Sequence, residues 1–497
     1  MNDRRSNGGG RLRAGSLGTF DSVVMAVAGC GPAYTVVALV PALIAAAGLG
    51  APAVLLYCAV PTVGIALAFR HLARLDVSSG ATYSWVARTL HPFLGFLSGW
   101  AVVVATTLFI IASTTPAGSA TLLLLDEELA KDDVLATAVG LGWFLLIAAL
   151  VASGARIAAR VRAVAVGTQV ALLLAVAVAA LTRDVHASAF SFSWFGFGHF
   201  DATHTFTAGA LITSALYWGW DVTGNLSEET RSGRGGSGLG GLIGLLVVAT
   251  TLLTLTVGAN VLLGPDAVTS TDGGFLHQLG EAAWPGTGGT LLVLAVPLSM
   301  VATLETTLLQ ATRTLFAMGR DRTVPAFLGR IHPGRQTPVA STVAVGVVTV
   351  TALAFIALAD SGVGILAHAL MGIGLLIAFY YALAGIAVAV ACRSVLFASI
   401  GNLVFLGLWP LIGTAFNIWV FAASIPKLTG TELAIGLGAL GLGLVPVTVA
   451  RLQGGRSFFR PRPLNPTYVD RGDEHFADAQ PAVGAPGGRR DGLLSDF

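Results

Sequence analysis

Two carboxylates lie inside stretches that are otherwise apolar: Asp221 in a run from about Thr205 to Leu226, and Glu305 in a run from about Thr290 to Phe316. An ionisable side chain at membrane depth is a functional hypothesis by default. Asp221 also closes Tyr217-Trp218-Gly219-Trp220-Asp221, which interrupts its run, and a matching interruption, Gly29-Cys30-Gly31-Pro32, divides the run from about Thr19 to Ala47. Hydrocarbon holds no water to satisfy freed backbone groups, so broken helices persist there only around a ligand, an ion or a wet cavity. Breaks at corresponding positions of two halves point to a solute site at mid-membrane.

The breaks have complementary polarity. A helix restarting at Gly31-Pro32 turns its N-terminal amides, and about half a positive charge, toward mid-membrane, which makes a seat for a carboxylate. Gly29 and Gly31 let the backbone turn and a ligand approach, and Ala28, Cys30 and Ala33 complete that edge. A helix ending near Tyr217 presents free carbonyls, which suit an ammonium group. Together they form a cradle for a zwitterion. The plain alternative for the first break is a Gly/Pro kink without a ligand. Asp221 equally suits the N-cap of the following half-helix, and a capping carboxylate at a cavity edge can also gate it or attract a cation. Tyr217, Trp218 and Trp220 either face lipid or close over a ligand, and Trp218 is the expected wall.

Glu305 sits about fourteen residues into its run, roughly 21 Å at 1.5 Å per residue. A charge at that depth costs about 3 kcal/mol even on the lenient insertion scale, so Glu305 must face protein or water, be protonated, or have a partner. Thr306 and Thr307 follow it. The bland alternative is a buried structural hydrogen bond. His368, in a later apolar run, titrates near neutrality when unperturbed, although a lone histidine on such a helix is more often a packing residue.

The elements that must position these groups are membrane helices. The chain has 497 residues, 55% hydrophobic and only 11% charged, against about 25% charged in soluble domains. Its mean hydropathy is +0.79. Twelve apolar stretches are long enough to span a bilayer: Thr19–Ala47, Ala51–Ala73, Pro92–Leu125, Val134–Ala152, Val161–Leu181, Thr205–Leu226, Leu239–Leu263, Thr290–Phe316, Val339–Ala359, Val363–Ala391, Leu396–Ile425 and Leu433–Ala450. With the N-terminus inside, 25 of the 28 Lys and Arg residues fall on the cytoplasmic side and only Lys131, Arg183 and Lys427 outside. The positive-inside rule therefore places both termini in the cytoplasm. The first apolar run is too long for a cleavable signal and reads as a signal anchor. Cys30, Cys58 and Cys392 show no paired or metal-ligand spacing, so neither a disulfide framework nor a metal site is expected. The preference for arginine over lysine, with abundant Ala and Gly, points to a bacterial genome rich in G and C.

Ser78–Thr89 is mildly amphipathic and reads as an interfacial helix or a re-entrant piece. Phe190–Phe206 is an external loop rich in aromatics, read as an interfacial belt in preference to a substrate lid. Gly233–Gly241 lacks the Lys-Ser/Thr ending of a phosphate loop and reads as a cytoplasmic turn. Residues 1–18 and 452–497 read as disordered cytoplasmic tails.

Arg313-Thr-Leu-Phe-Ala-Met-Gly-Arg-Asp321 followed by Pro325, Pro333 and Gln336-Thr-Pro338 resembles the loop after the eighth helix of amino acid–polyamine–organocation permeases. Gly80-Ala-Thr-Tyr83 with Gly95-Phe-Leu-Ser-Gly-Trp100 is similar to that family's connection between the second and third helices, and Tyr217–Asp221 with Glu228-Glu229 to its sixth helix. The resemblance runs over about Gly15–Ala450. It implies an all-α membrane protein of the leucine-transporter type. Residues 19–182 (helices 1–5) and 205–392 (helices 6–10) would be inverted repeats separated by the external loop 183–204, and 393–451 would supply two accessory helices. It also implies uptake or exchange of amino acids or related amines. Two departures matter. Pro32 removes an amide donor and Cys30 replaces a small polar residue, which weakens the carboxylate subsite and leaves room for an amine or polyamine without a carboxylate. Where some related proton-coupled permeases carry a lysine in the fifth helix, spacing from Arg160 and Arg162 puts Gln169. Glu305, with Gln169 and Thr306, is then the coupling candidate, and Asp221 the gate.

The expectation is a secondary transporter in the plasma membrane, working by alternating access, proton-coupled or by exchange, without sodium. Its partners are a small amino acid or amine, protons as the candidate coupling ion, and the bilayer, with no cofactor and no nucleic acid. No metalloprotease motif, nucleophile elbow or phosphate loop points to an enzyme. A membrane-embedded hydrolase using Asp221 and Glu305, and a non-transporting nutrient receptor, are the readings from other classes.

Overall fold

The computed structural model describes residues 12, 14–182, 187–199, 201, 205–231, 235–269, 274–357, 362–453, 458–460 and 463–464. The regular elements among them are helices, with an isolated parallel bridge between Leu17 and Thr230. Ten helical runs among the described residues are long and apolar enough to cross a membrane, and Thr205–Leu216 is a shorter apolar helix. The chain is a multi-pass membrane protein.

The first run, Thr19–Leu75, extends over 57 residues. It joins α1 (Thr19–Cys30), α2 (Pro32–Ala47) and α3 (Ala51–Leu75) with only Gly31 and the short turn 48–50 between them. There follow α4 (Thr82–Thr89), α5 (Pro92–Leu122), α6 (Asp133–Ser153), α7 (Ala155–Thr182), α8 (Thr205–Leu216), α9 (Val222–Asn225), α10 (Gly236–Leu262), α11 (Gly288–Arg320), α12 (Val339–Ala357), α13 (Gly362–Ala391) and α14 (Trp409–Ser424). Proline opens α2 and α5, at Pro32 and Pro92, where its missing N–H costs nothing and its fixed φ suits the first turn. Asp132 caps α6 by accepting from the N–H groups of Val134 and Leu135.

Small residues bring the helices together. A Cβ at Gly240 or Gly244 of α10 would run into Ser22 or Ala26 of α1, so two residues four apart on each helix form a close seam. Between apolar helices in lipid, such backbone approach supplies the van der Waals contact that association needs. The glycine-rich stretch expected as a turn is therefore helical from Gly236 on, because its glycines seat α1. The segment around Ser78–Thr89 forms α4, whose Tyr83 and Trp85 are fully buried. In the aromatic segment expected as an external loop, Trp194 is buried and the Tyr57 hydroxyl donates to the Phe195 carbonyl. Within the stretch read as a C-terminal tail, the Phe458 ring stacks on Tyr83, with centroids 4.8 Å apart.

Candidate functional site

Both interruptions are present and they touch. Helix α1 stops at Gly31, which adopts the left-handed conformation (φ 54°, ψ 58°), and α2 restarts at Pro32. Helix α8 stops at Leu216, Gly219 sits at φ 107°, and α9 begins only at Val222. A Cβ on Gly29 would strike the Gly219 carbonyl and one on Gly219 the Gly29 carbonyl, so the two broken segments pack backbone to backbone. The open side of Gly31 is filled by Thr303 of α11, whose hydroxyl lies 2.9 Å from the Ala28 carbonyl. The glycines thus join three helices at the break.

The restarting helix α2 does not leave its first amides bare. Ala33 N–H donates to Gln169 Oε1 at 3.4 Å and Tyr34 N–H to Ser299 Oγ at 3.3 Å. Pro32 has no N–H, and Gly31 N–H bonds back to Val27 and Ala28 at 3.2 Å. The positive end of α2 is therefore occupied by side-chain oxygens from α7 and α11, held by long bonds. Gln169 Nε2 is buried without a partner.

Opposite stands a single buried carboxylate. Asp221 is 1% exposed. It occupies the N-cap position of α9, but its side chain makes no capping bond. Its Oδ2 accepts from Gln310 Nε2 at 2.8 Å and from the Tyr380 hydroxyl at 2.9 Å, and its Oδ1 accepts from the Tyr381 hydroxyl at 3.2 Å. Trp218 Nε1 donates to the Tyr380 hydroxyl at 2.7 Å. Trp220 stacks on Tyr381 and meets Phe69 edge-on, and Trp218 meets Phe109 edge-on. The result is a buried carboxylate in an aromatic box. Such rings attract cations through their negative faces.

The family model for amino acid permeases matches residues 17–443, most of the chain. The chain belongs to the amino acid permease family. Over 445 residues the permease is 26% identical to the methylthioribose transporter of Bacillus subtilis (strain 168), covering 85% of this chain and 91% of that protein. It is 27% identical over 337 residues to the low-affinity putrescine importer PlaP of Escherichia coli (strain K12), covering 64% and 68%. It is 27% identical over 295 residues to the branched-chain amino acid permease BcaP of Bacillus subtilis (strain 168), covering 56% and 61%. It is a membrane transporter and not an enzyme.

The remaining candidates of the permease are distributed around this centre. Cys30 is buried, and the Tyr217 hydroxyl donates to the Leu55 carbonyl at 3.1 Å. Glu305 does not reach Asp221. Its Oε1 lies 3.2 Å from Arg162 Nη1, an ion pair between α11 and α7 with both side chains buried. The geometry leaves Arg162 Nε and Nη1 without hydrogen bonds. Thr306 turns its hydroxyl back to Ala302 and Thr303 of its own helix, and the side chain of His368 lies outside the described residues. The three residues expected to couple transport are therefore spread along α7 and α11.

Beyond Asp221 the permease carries a network of buried polar groups. Asn225 Nδ2 donates to the Ser79 carbonyl and to Thr314 Oγ1, both at 2.9 Å. Arg313 and Glu229 form a buried pair at 2.8 Å, and Arg320 reaches Glu228 at 3.0 Å. Sequence reasoning missed Tyr380, Tyr381, Gln310 and Arg162. The adjacent tyrosines and the glutamine are polar points in apolar runs, which is a weak signal. Arg162 stands at the edge of its apolar run, where the sequence alone reads it as one of the topology-setting arginines.

Proposed function

We propose that the permease carries small organic amines, amino acids and polyamines among them, and recognises chiefly the ammonium group. The observation that carries this reading is Asp221, buried where the two breaks meet and boxed by Trp218, Trp220, Tyr380 and Tyr381. A substrate ammonium would take the place of the longest of its bonds, the one from Tyr381. A carboxylate would have to displace Gln169 and Ser299 from the α2 amides, so it adds less affinity. Gly29, Gly31 and Gly219 would hold the breaks together while Ala28, Cys30, Ala33 and Tyr217 line the approach.

The broken helices support alternating access within twelve spans and two inverted repeats, with both termini in the cytoplasm of a bacterial plasma membrane. Coupling is proposed to be proton-linked or by exchange, without sodium. Glu305 would pass between its ion pair with Arg162 and a protonated state, and Asp221 would gate the site. One relative favours a second reading: its name, methylthioribose transporter, describes an uncharged solute, and the match covers 91% of its length. Counterflow in proteoliposomes, with putrescine, leucine, leucine methyl ester and methylthioribose, separates the two. Amine recognition expects the ester and the diamine to compete as well as leucine. Competition by methylthioribose alone would overturn it.

A further inference from the structure

Away from the substrate site, a cavity of about 670 Å³ opens on the side of the bundle between α3, α10 and the segment leading into α14. Its walls are apolar, formed by Leu67, Leu242, Leu246, Phe405, Leu406 and Trp409, and Arg70, His71 and Arg74 stand at one end. None of the lining residues is acidic. Among the described residues Arg70 and Arg74 make neither an ion pair nor a hydrogen bond, although both are partly buried. Three other arginines placed at this end by the arginine bias do have carboxylate partners: Arg88 with Asp76, Arg313 with Glu229 and Arg320 with Glu228.

From Val63 to Arg74 the wall contributed by α3 is about 16 Å long at 1.5 Å per residue, about half the roughly 30 Å hydrocarbon thickness of a bilayer. The cavity therefore has the length of one leaflet, with its cations where headgroups lie and its apolar walls where acyl chains lie. A soluble anion would match the arginines and leave the apolar walls bare, and a neutral lipid would leave the arginines unmatched.

We propose that this cavity is a binding site for one anionic phospholipid, its phosphate held by Arg70 and Arg74 and an acyl chain lying along Leu242, Leu246 and Phe405. Basic pockets between membrane helices are suited to such headgroups. The leaflet is the cytoplasmic one in the orientation that the arginine bias gives. The site is independent of the substrate reading, because none of its lining residues belongs to the breaks or to the Asp221 box.

The test is native mass spectrometry of the full chain released from nanodiscs of phosphatidylglycerol and phosphatidylcholine, with retained lipid counted. The wild type should keep one phosphatidylglycerol in preference to phosphatidylcholine. Arg70→Gln/Arg74→Gln should weaken that retention roughly 30-fold, as expected for two basic residues facing an anionic leaflet. Leu242→Trp, which fills the apolar part without touching charge, should also lower it, and Lys427→Gln, at the opposite end, should leave it unchanged. If the double variant does not fold, Leu242→Trp decides the question by itself. Equal retention of both lipids by the wild type, unchanged retention in Leu242→Trp, or displacement of the lipid by millimolar inorganic phosphate would overturn the proposal.

Discussion

Replacing Asp221 by asparagine separates a recognition carboxylate from a structural one, because the two roles predict opposite changes in stability and affinity. The carboxylate accepts three hydrogen bonds, from Gln310, Tyr380 and Tyr381. A bond to a charged group is worth about 1.5–3 kcal/mol and a neutral one about 0.5–1.5 kcal/mol, so neutralising the acceptor weakens the network by about 3 kcal/mol. Against this, a buried ion carries a desolvation penalty of several kcal/mol, which the amide does not. The network can also re-form, since tyrosine hydroxyls rotate and either Gln310 or the new asparagine can turn its amide. Stability should therefore stay level or rise. An ammonium ligand, by contrast, loses a charge-assisted bond worth about 1.5–3 kcal/mol, roughly 10- to 150-fold in affinity. Thermal unfolding of purified Asp221→Asn, followed by titration with putrescine and leucine, reads both quantities. A variant that unfolds earlier yet binds with unchanged affinity would show Asp221 to be structural and refute the reasoning.

Gly219→Ala should lower the unfolding temperature and abolish ligand-induced stabilisation. Its φ of 107° is strained for any side chain, at about 1–3 kcal/mol, and the new methyl strikes the Gly29 carbonyl. Gly167→Ala, where a Cβ meets nothing, should be neutral or stabilising by up to about 1 kcal/mol, and the reverse order in a thermal-shift assay would count against the packed breaks. Glu305→Gln strands Arg162 in the interior, so it should cost about 3–5 kcal/mol of stability. In proteoliposomes it should also lose accumulation driven by a pH gradient while keeping substrate exchange, and a protein that still concentrates substrate would exclude Glu305 as the proton carrier. Single cysteines near Lys131 or Lys427, in a background lacking the buried Cys30, Cys58 and Cys392, should label from outside intact cells. Those near Arg88 or Arg322 should not, and reversed labelling would invert the topology.

The sequence alone carried the membrane class, the breaks and the family, because each rests on local chemistry. Apolar length and the scarcity of charge require lipid-spanning helices wherever the chain folds. Gly31-Pro32 interrupts a helix by backbone geometry and a missing donor, and Asp221 stands out as a charge in an apolar run. What these groups face was decided only by tertiary packing. Tyr380 and Tyr381 meet Asp221 from 159 and 160 positions away, and Gln169 reaches Ala33 across 136. No local pattern encodes those distances. The same holds for Arg162: periodicity cannot distinguish an arginine that marks a membrane edge from one turned inward to a glutamate. Gly29 shows the limit most clearly. Its lack of a side chain was visible in the sequence, but whether a ligand or another backbone used the space depended on where Gly219 came to rest.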